Sequence, residues 1–388
     1  MVSLLGKLFI KDYTNYNDSG VRRKYGILAS IIGIFLNILL FGFKYFVGWL
    51  SGSVAIMADA FNNLSDAGSS IITLAGFKVT GMSPDAEHPF GHGRVEYISG
   101  FIVSMAIILM GVELLKSSAV KILDPVKIDT SAAAFIILAV SVFIKLYMAF
   151  YNNSIGRKIN SAAMKATAID SLSDAAATSV VFVSMAVMMY SDINIDGYTG
   201  ALVAMFILFA GYNAAKDTIS PLLGTKPSKE IVEAIDSVIM SHEGILGVHD
   251  LIVHDYGPGR MIVSLHAEVP GDRNIYELHD LIDHIENDLN DMFNCECVIH
   301  MDPVDINDNR VKEVRAEAGK AVQSVDERLS IHDLRIVPCQ NYDNIIFDMI
   351  VPPECHKRDK EIKEQVCRKI EEKYPGCKAV IKIDKSYI

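Results

Sequence analysis

Cysteine is missing from the first 294 residues of this 388-residue chain; all six, Cys295, Cys297, Cys339, Cys355, Cys367 and Cys377, come after them. Their spacing lays out no disulfide framework and reads as free thiols in a reducing compartment. Cys295 and Cys297 share a face if they lie on a strand. Without a second cysteine pair or a histidine at fixed spacing, though, no zinc knuckle is expected. Basic residues are outnumbered, 36 Lys and Arg against 47 Asp and Glu, and the net charge of −11 disfavours nucleic acid as a partner while suiting cations. No cleavable leader is expected, because the first apolar stretch, residues 4–10, is broken by Lys7 and followed by a polar segment. The histidines are not grouped with a nucleophile or a metal-bound water beside a base, so no enzyme is expected.

Long apolar runs, by contrast, are plentiful. Six occupy roughly residues 27–50, 54–78, 95–120, 132–151, 162–190 and 198–223, each near the ~20 residues that cross a bilayer. Short polar breaks separate them, at residues 51–53, 80–94, 121–129, 152–160 and 191–197. Lys7, Lys11, Arg22, Arg23 and Lys24 precede the first run, and Lys78, Arg94, Arg157, Lys158 and Lys165 mark the second and fourth loops. The opposite loops have only Lys116, Lys121 and Lys127, so both termini are expected in the cytoplasm of a multi-pass protein of the cell (inner) membrane.

From Lys226 onward the chain is charged and carries an internal repeat. His249-Asp250-Leu251 recurs as His332-Asp333-Leu334, 83 residues later, and Val269-Pro270 as Val351-Pro352, 82 later. The expected architecture is an all-α six-helix transmembrane domain followed by two tandem small α+β domains of ferredoxin-like, αββαβ type. The segments would be 1–25 (cytoplasmic), 26–224 (membrane), 225–305 (metal-binding α+β) and 310–388 (a degenerate second copy).

Asn62 and Asp66 in the second run, and Asp170 and Asp174 in the fifth, are each spaced i, i+4, so each pair leaves one helix face. An acid in a span turns away from lipid toward protein or a water-filled cavity. Two helices giving two oxygen ligands each can close on one cation. Interhelical hydrogen bonding would account for Asn62 alone, but three carboxylates without a matching cation cannot neutralise one another. Asp59 and Asn63 are neighbours of lower rank, because only Asn62 repeats the spacing of Asp170 and Asp174.

These residues resemble the cation diffusion facilitator family, whose members carry two metal-binding pairs of this spacing on the second and fifth helices. The resemblance runs from about residue 20 to 305 and rests on three stretches: Ala58–Asp66, His88–Glu96 and Asp170–Asp174. It implies a homodimeric metal/proton antiporter in a lipid bilayer with a cytoplasmic C-terminal domain. It further implies a loop site at Asp85, His88 and His92, and a soluble-domain site at His249, His266, His300 and Asp302, with His279 as an extra ligand. His300 and Asp302 lie two apart, on one face of a strand. The second copy reads His332, Asp348, Lys382 and Asp384 at those positions, and a charged lysine cannot ligate, so this copy is expected to have kept the fold and lost the site. Zinc transporters of the family usually place histidine where this chain has Asp170, and no histidine falls in any run. An all-oxygen site resembles the manganese branch and suits Mn2+, with Zn2+ or Fe2+ as alternative cargo and possible regulator. A cation channel is the rival from another class; it predicts continuous pore polarity rather than one cluster.

Overall fold

In the computed structural model, residues 6–8, 10–16, 18–51, 54–124, 132–191, 195–305, 308–339, 342–352, 355 and 358–385 are described. The break expected at residues 52–53, Lys127 and residues 192–194 of the last break lie outside them. The chain divides into two compact units: residues 1–225 with the turn 255–260, and residues 226–254 with 261–388.

Among the described residues the first unit holds six long helices: α1 (Ser19–Ser51), α2 (Val54–Thr80), α3 (Val95–Leu123), α4 (Ala132–Lys158), α5 (Ala162–Ser191) and α6 (Asp196–Leu223). Five of them, all but α2, are long and apolar enough to cross a membrane. Asp59, Asn62, Asn63 and Asp66 lower the apolarity of α2. The helices pack chiefly as α1 on α2, α3 on α6 and α4 on α5. Small residues let backbones approach: a Cβ on Gly100 of α3 would come within 2.9 Å of Ala163 Cα on α5. A buried clamp ties α1 to α3. Arg22 donates to both oxygens of Glu96, at 2.6 and 2.8 Å, and to the carbonyl of Ile159, while Ser161 donates to Glu96 Oε1 at 2.5 Å.

Two expected boundaries move, the first being that of α1, which starts at Ser19 ahead of the run expected from residue 27. The polar stretch 152–160 was to be a loop, but α4 runs through it to Lys158. The helix ends at Asn160, whose φ of 45° is left-handed, a conformation asparagine tolerates better than most residues. Polarity alone marks where a helix leaves an apolar layer, not where it stops.

The second unit runs α7 (Lys229–Met240), β1 (Gly247–Asp255), β2 (Met261–Pro270), α8 (Ile275–Phe293), β3 (Cys295–Val304), then α9 (Asn309–Gln323), β4 (Ser330–Pro338), β5 (Asp343–Val351), α10 (Asp359–Lys373) and β6 (Cys377–Lys385). The order α, β, β, α, β therefore occurs twice. Each half has its own three-stranded sheet, β1-β2-β3 and β4-β5-β6, with the last two strands parallel. Polar side chains start the helices: Ser228 accepts from the Ile231 amide, Asn274 from Tyr276, and Asp308 from Arg310 and Val311. Alternation buries Ile345, Phe347, Met349 and Val351 of β5 against Ile362, Val366 and Ile370 of α10, and the first half repeats the scheme with Val263, Leu265, Ile282 and Ile285. Arg315 of α9 joins the halves through a 2.7 Å bond to buried Glu268 of β2.

Candidate metal centre

In the helical unit, α2 presents Asp66 and α5 presents Asp170 and Asp174. Asp170 is buried, and Asp66 and Asp174 are only 16% and 11% exposed. The helices meet beside these acids, where the hydroxyls of Thr73 and Thr167 lie 3.0 Å apart. Lys145 of α4 reaches into the gap. Its Nζ donates to Asp66 Oδ2 and to Asp174 Oδ2, each at 2.6 Å, and its side chain is 4% exposed. The matching cation that the sequence reading held to be missing is therefore present. Two acids from different helices close on one point, and an ammonium holds that point.

The rest of the expected tetrad is looser. Asn62 is exposed and Asn63 is buried, donating to the Asp59 carbonyl at 3.2 Å. Asp59 pairs with the buried Lys44 of α1 at 2.8 Å. Sequence reasoning missed Lys44 and Lys145, although each stands alone in an apolar run. A lysine buried at such depth requires an acid beside it, and that signal would have found both.

The loop between α2 and α3 gathers Asp85, His88 and His92, with one ligand atom from each within 4.8 Å of the others. Asp85 Oδ1 accepts from the Glu87 and His88 amides at 3.0 and 2.7 Å, and the His88 amide is the main reason its carboxyl is held below the usual range. His92 is the least exposed member, half-buried, and its Nδ1 has no hydrogen-bond partner.

In the second unit one carboxylate collects three imidazoles. Asp302 Oδ2 lies 2.9 Å from His266 Nδ1 and 3.1 Å from His249 Nε2, and Asp302 Oδ1 lies 3.4 Å from His300 Nε2. The parallel register of β2 and β3 sets His266 beside His300. Burial, then the neighbouring His332, push the His249 imidazole below its ordinary pKa. His279 does not join; it sits exposed on α8, 3.3 Å from Asp283. Burial pushes the Cys297 thiol up to about 12, which keeps it protonated and unsuited to bind metal. The second copy, expected to have lost its site, nonetheless brings His332 up to His249, with ring centroids 4.3 Å apart and the planes tilted by 40°.

Residues 30–223 match the cation efflux transmembrane domain, and residues 227–304 match the cytoplasmic domain of cation efflux proteins. The chain is similar to an uncharacterized transporter of Methanocaldococcus jannaschii, 31% identical over 280 residues, 72% of this chain and 98% of the relative. It is also similar to the cation-efflux pump FieF of Pectobacterium atrosepticum, 26% identical over 71% of this chain and 92% of the relative. A third relative is the manganese efflux system protein MneS of Bacillus subtilis, 26% identical over 73% and 97%.

Proposed function

Since this chain belongs to the cation efflux family, and is a divalent cation efflux transporter of the membrane rather than an enzyme, we propose that it exports Mn2+ from the cytoplasm in exchange for protons. The observation that carries the reading is the pair Asp66 and Asp174, drawn from two helices onto one buried cationic group. A divalent ion entering there displaces the Lys145 ammonium and takes oxygen ligands from Asp66, Asp174, Asp170 and Asn62. Oxygen donors suit manganese, and one curated relative is a manganese efflux protein. Protons that reach the carboxylates from the far side release the metal, because carboxylates ligate when deprotonated.

In this reading α2 is the sixth span, both termini are cytoplasmic in the inner membrane, and the working unit is a homodimer. Residues 26–224 form the transport domain. Residues 225–305 and 310–388 form two ferredoxin-like copies, of which the first holds metal through His249, His266, His300 and Asp302. Asp85, His88 and His92 hold a further ion in the loop. Uptake into proteoliposomes, with Mn2+, Zn2+ and Fe2+ compared under an imposed pH gradient, tests the proposal. Mn2+ flux driven by the gradient is expected; Zn2+ preference, or flux indifferent to the gradient, would refute the manganese or the proton assignment respectively.

A further inference from the structure

Asp250 and Asp333 occupy matching positions in β1 and β4, and both are left-handed, with φ of 51° and 48°. Aspartate tolerates this conformation, and within a strand it redirects the neighbouring side chains. The register of β4 on β5 shifts between His332 and Arg335, next to the second of these residues. His332 is turned inward: its side chain is 8% exposed and neither ring nitrogen makes a hydrogen bond. A buried imidazole with both nitrogens unbonded is costly unless something else occupies them.

What faces His332 Nε2 is acidic. Asp250 Oδ1, from the first half, lies 3.6 Å away, and Asp384 Oδ2, from β6, lies 3.7 Å away. Two ligands that each sit ~2.1 Å from a tetrahedral ion are separated by ~3.4 Å, close to these spacings. One oxygen each of Asp250, Asp348 and Asp384 lie within 4.8 Å of one another. Lys382 Nζ touches Asp348 and Asp384 at 3.1 Å, but its side chain is 65% exposed and approaches from outside. Three carboxylates against one ammonium leave two negative charges, the complement of a divalent ion.

We propose that Asp250, His332 and Asp384 hold a divalent metal cation at the junction of the two halves, with Asp348 beside it and Lys382 covering the outer side. The ion joins the halves, since Asp250 comes from one and His332 and Asp384 from the other. The set adjoins the imidazoles around Asp302, since His249 Nδ1 lies 3.7 Å from Asp250 Oδ2 and its ring centroid 4.3 Å from that of His332, and it does not depend on the transport reading of the helical unit.

Full-length protein in detergent, titrated with Mn2+ while electron paramagnetic resonance counts the free ion, gives the number bound per chain. The variant His332→Ala/Asp384→Asn should bind one Mn2+ fewer than wild type, whereas His266→Ala/His300→Ala should retain that ion. The same count is made with Zn2+ and a chelating dye. An unchanged number with both metals in the first variant overturns the inference. If that variant does not fold, as judged by circular dichroism, Lys382→Ala decides: removing a surface ammonium should tighten binding at this site several-fold, and unchanged affinity overturns the inference.

Discussion

Lys145 is 4% exposed and bonded to two acids. Replacing it with Met leaves Asp66 and Asp174 buried without a counter-ion, and removal of one partner from such a group costs about 3–5 kcal/mol. Lys145→Met should therefore melt lower in metal-free detergent, recover when Mn2+ is added, and bind Mn2+ more tightly because no tethered competitor remains. Thermal unfolding with and without metal, beside a binding isotherm, checks all three. Asp66→Ala, Asp170→Ala and Asp174→Ala should each abolish Mn2+ uptake while leaving folded protein; full uptake by any of them removes that residue from the site. Asp170→His should move preference toward Zn2+, since an imidazole replaces a hard oxygen; uptake of both metals by the same vesicles reads the ratio. The acids were legible in the sequence because charge inside an apolar run is rare and their i, i+4 spacing fixes a common face. Lys145 was harder to use, since a single lysine gives no spacing, and only the packing of α4 beside α2 and α5 says which acids it meets.

At the scale of elements, two clamps set how helices lie. Glu96 is fully buried and engages Arg22 and Ser161 together. Glu96→Ala strands the Arg22 guanidinium between α1 and α3, a loss of about 3–5 kcal/mol that a lowered unfolding midpoint would register. In the second unit, Glu317 of α9 pairs with Lys373 of α10 and with Lys320, and these bonds hold its carboxyl down at about 2. A depressed acid contributes stability above its unfolded pKa, ~4.3. That contribution is lost as pH falls from there toward 2. Glu317→Gln should flatten the acid limb of the unfolding curve in that window by slightly lowering stability at neutral pH, while stability near pH 2 stays nearly unchanged. Most elements could be read in advance, because apolar runs and strand alternation record burial directly. The end of α4 could not: its last turn is polar, and what stops it is the backbone of Asn160, which hydropathy does not encode.

At the scale of the whole molecule, the repeat was visible as an offset of 82 or 83 residues, and the same five-element order appears in both halves. Their mutual contact was not visible, because His249 and His332 meet through tertiary packing and no sequence spacing records that distance. Cutting the chain after Asp308 removes Arg315 from Glu268 and His332 from Asp250. The truncated protein should still move Mn2+ but unfold at lower temperature and bind fewer ions. A truncated protein that stays folded yet transports nothing would assign the second half a direct part in the cycle. The segment between β3 and α9 is short, from Val304 to Asn309, so the two halves are tethered at high effective concentration. Dilution cannot separate them, and the face around His249 is already occupied within each chain. Any pairing of two such chains is then expected to be built on other surfaces.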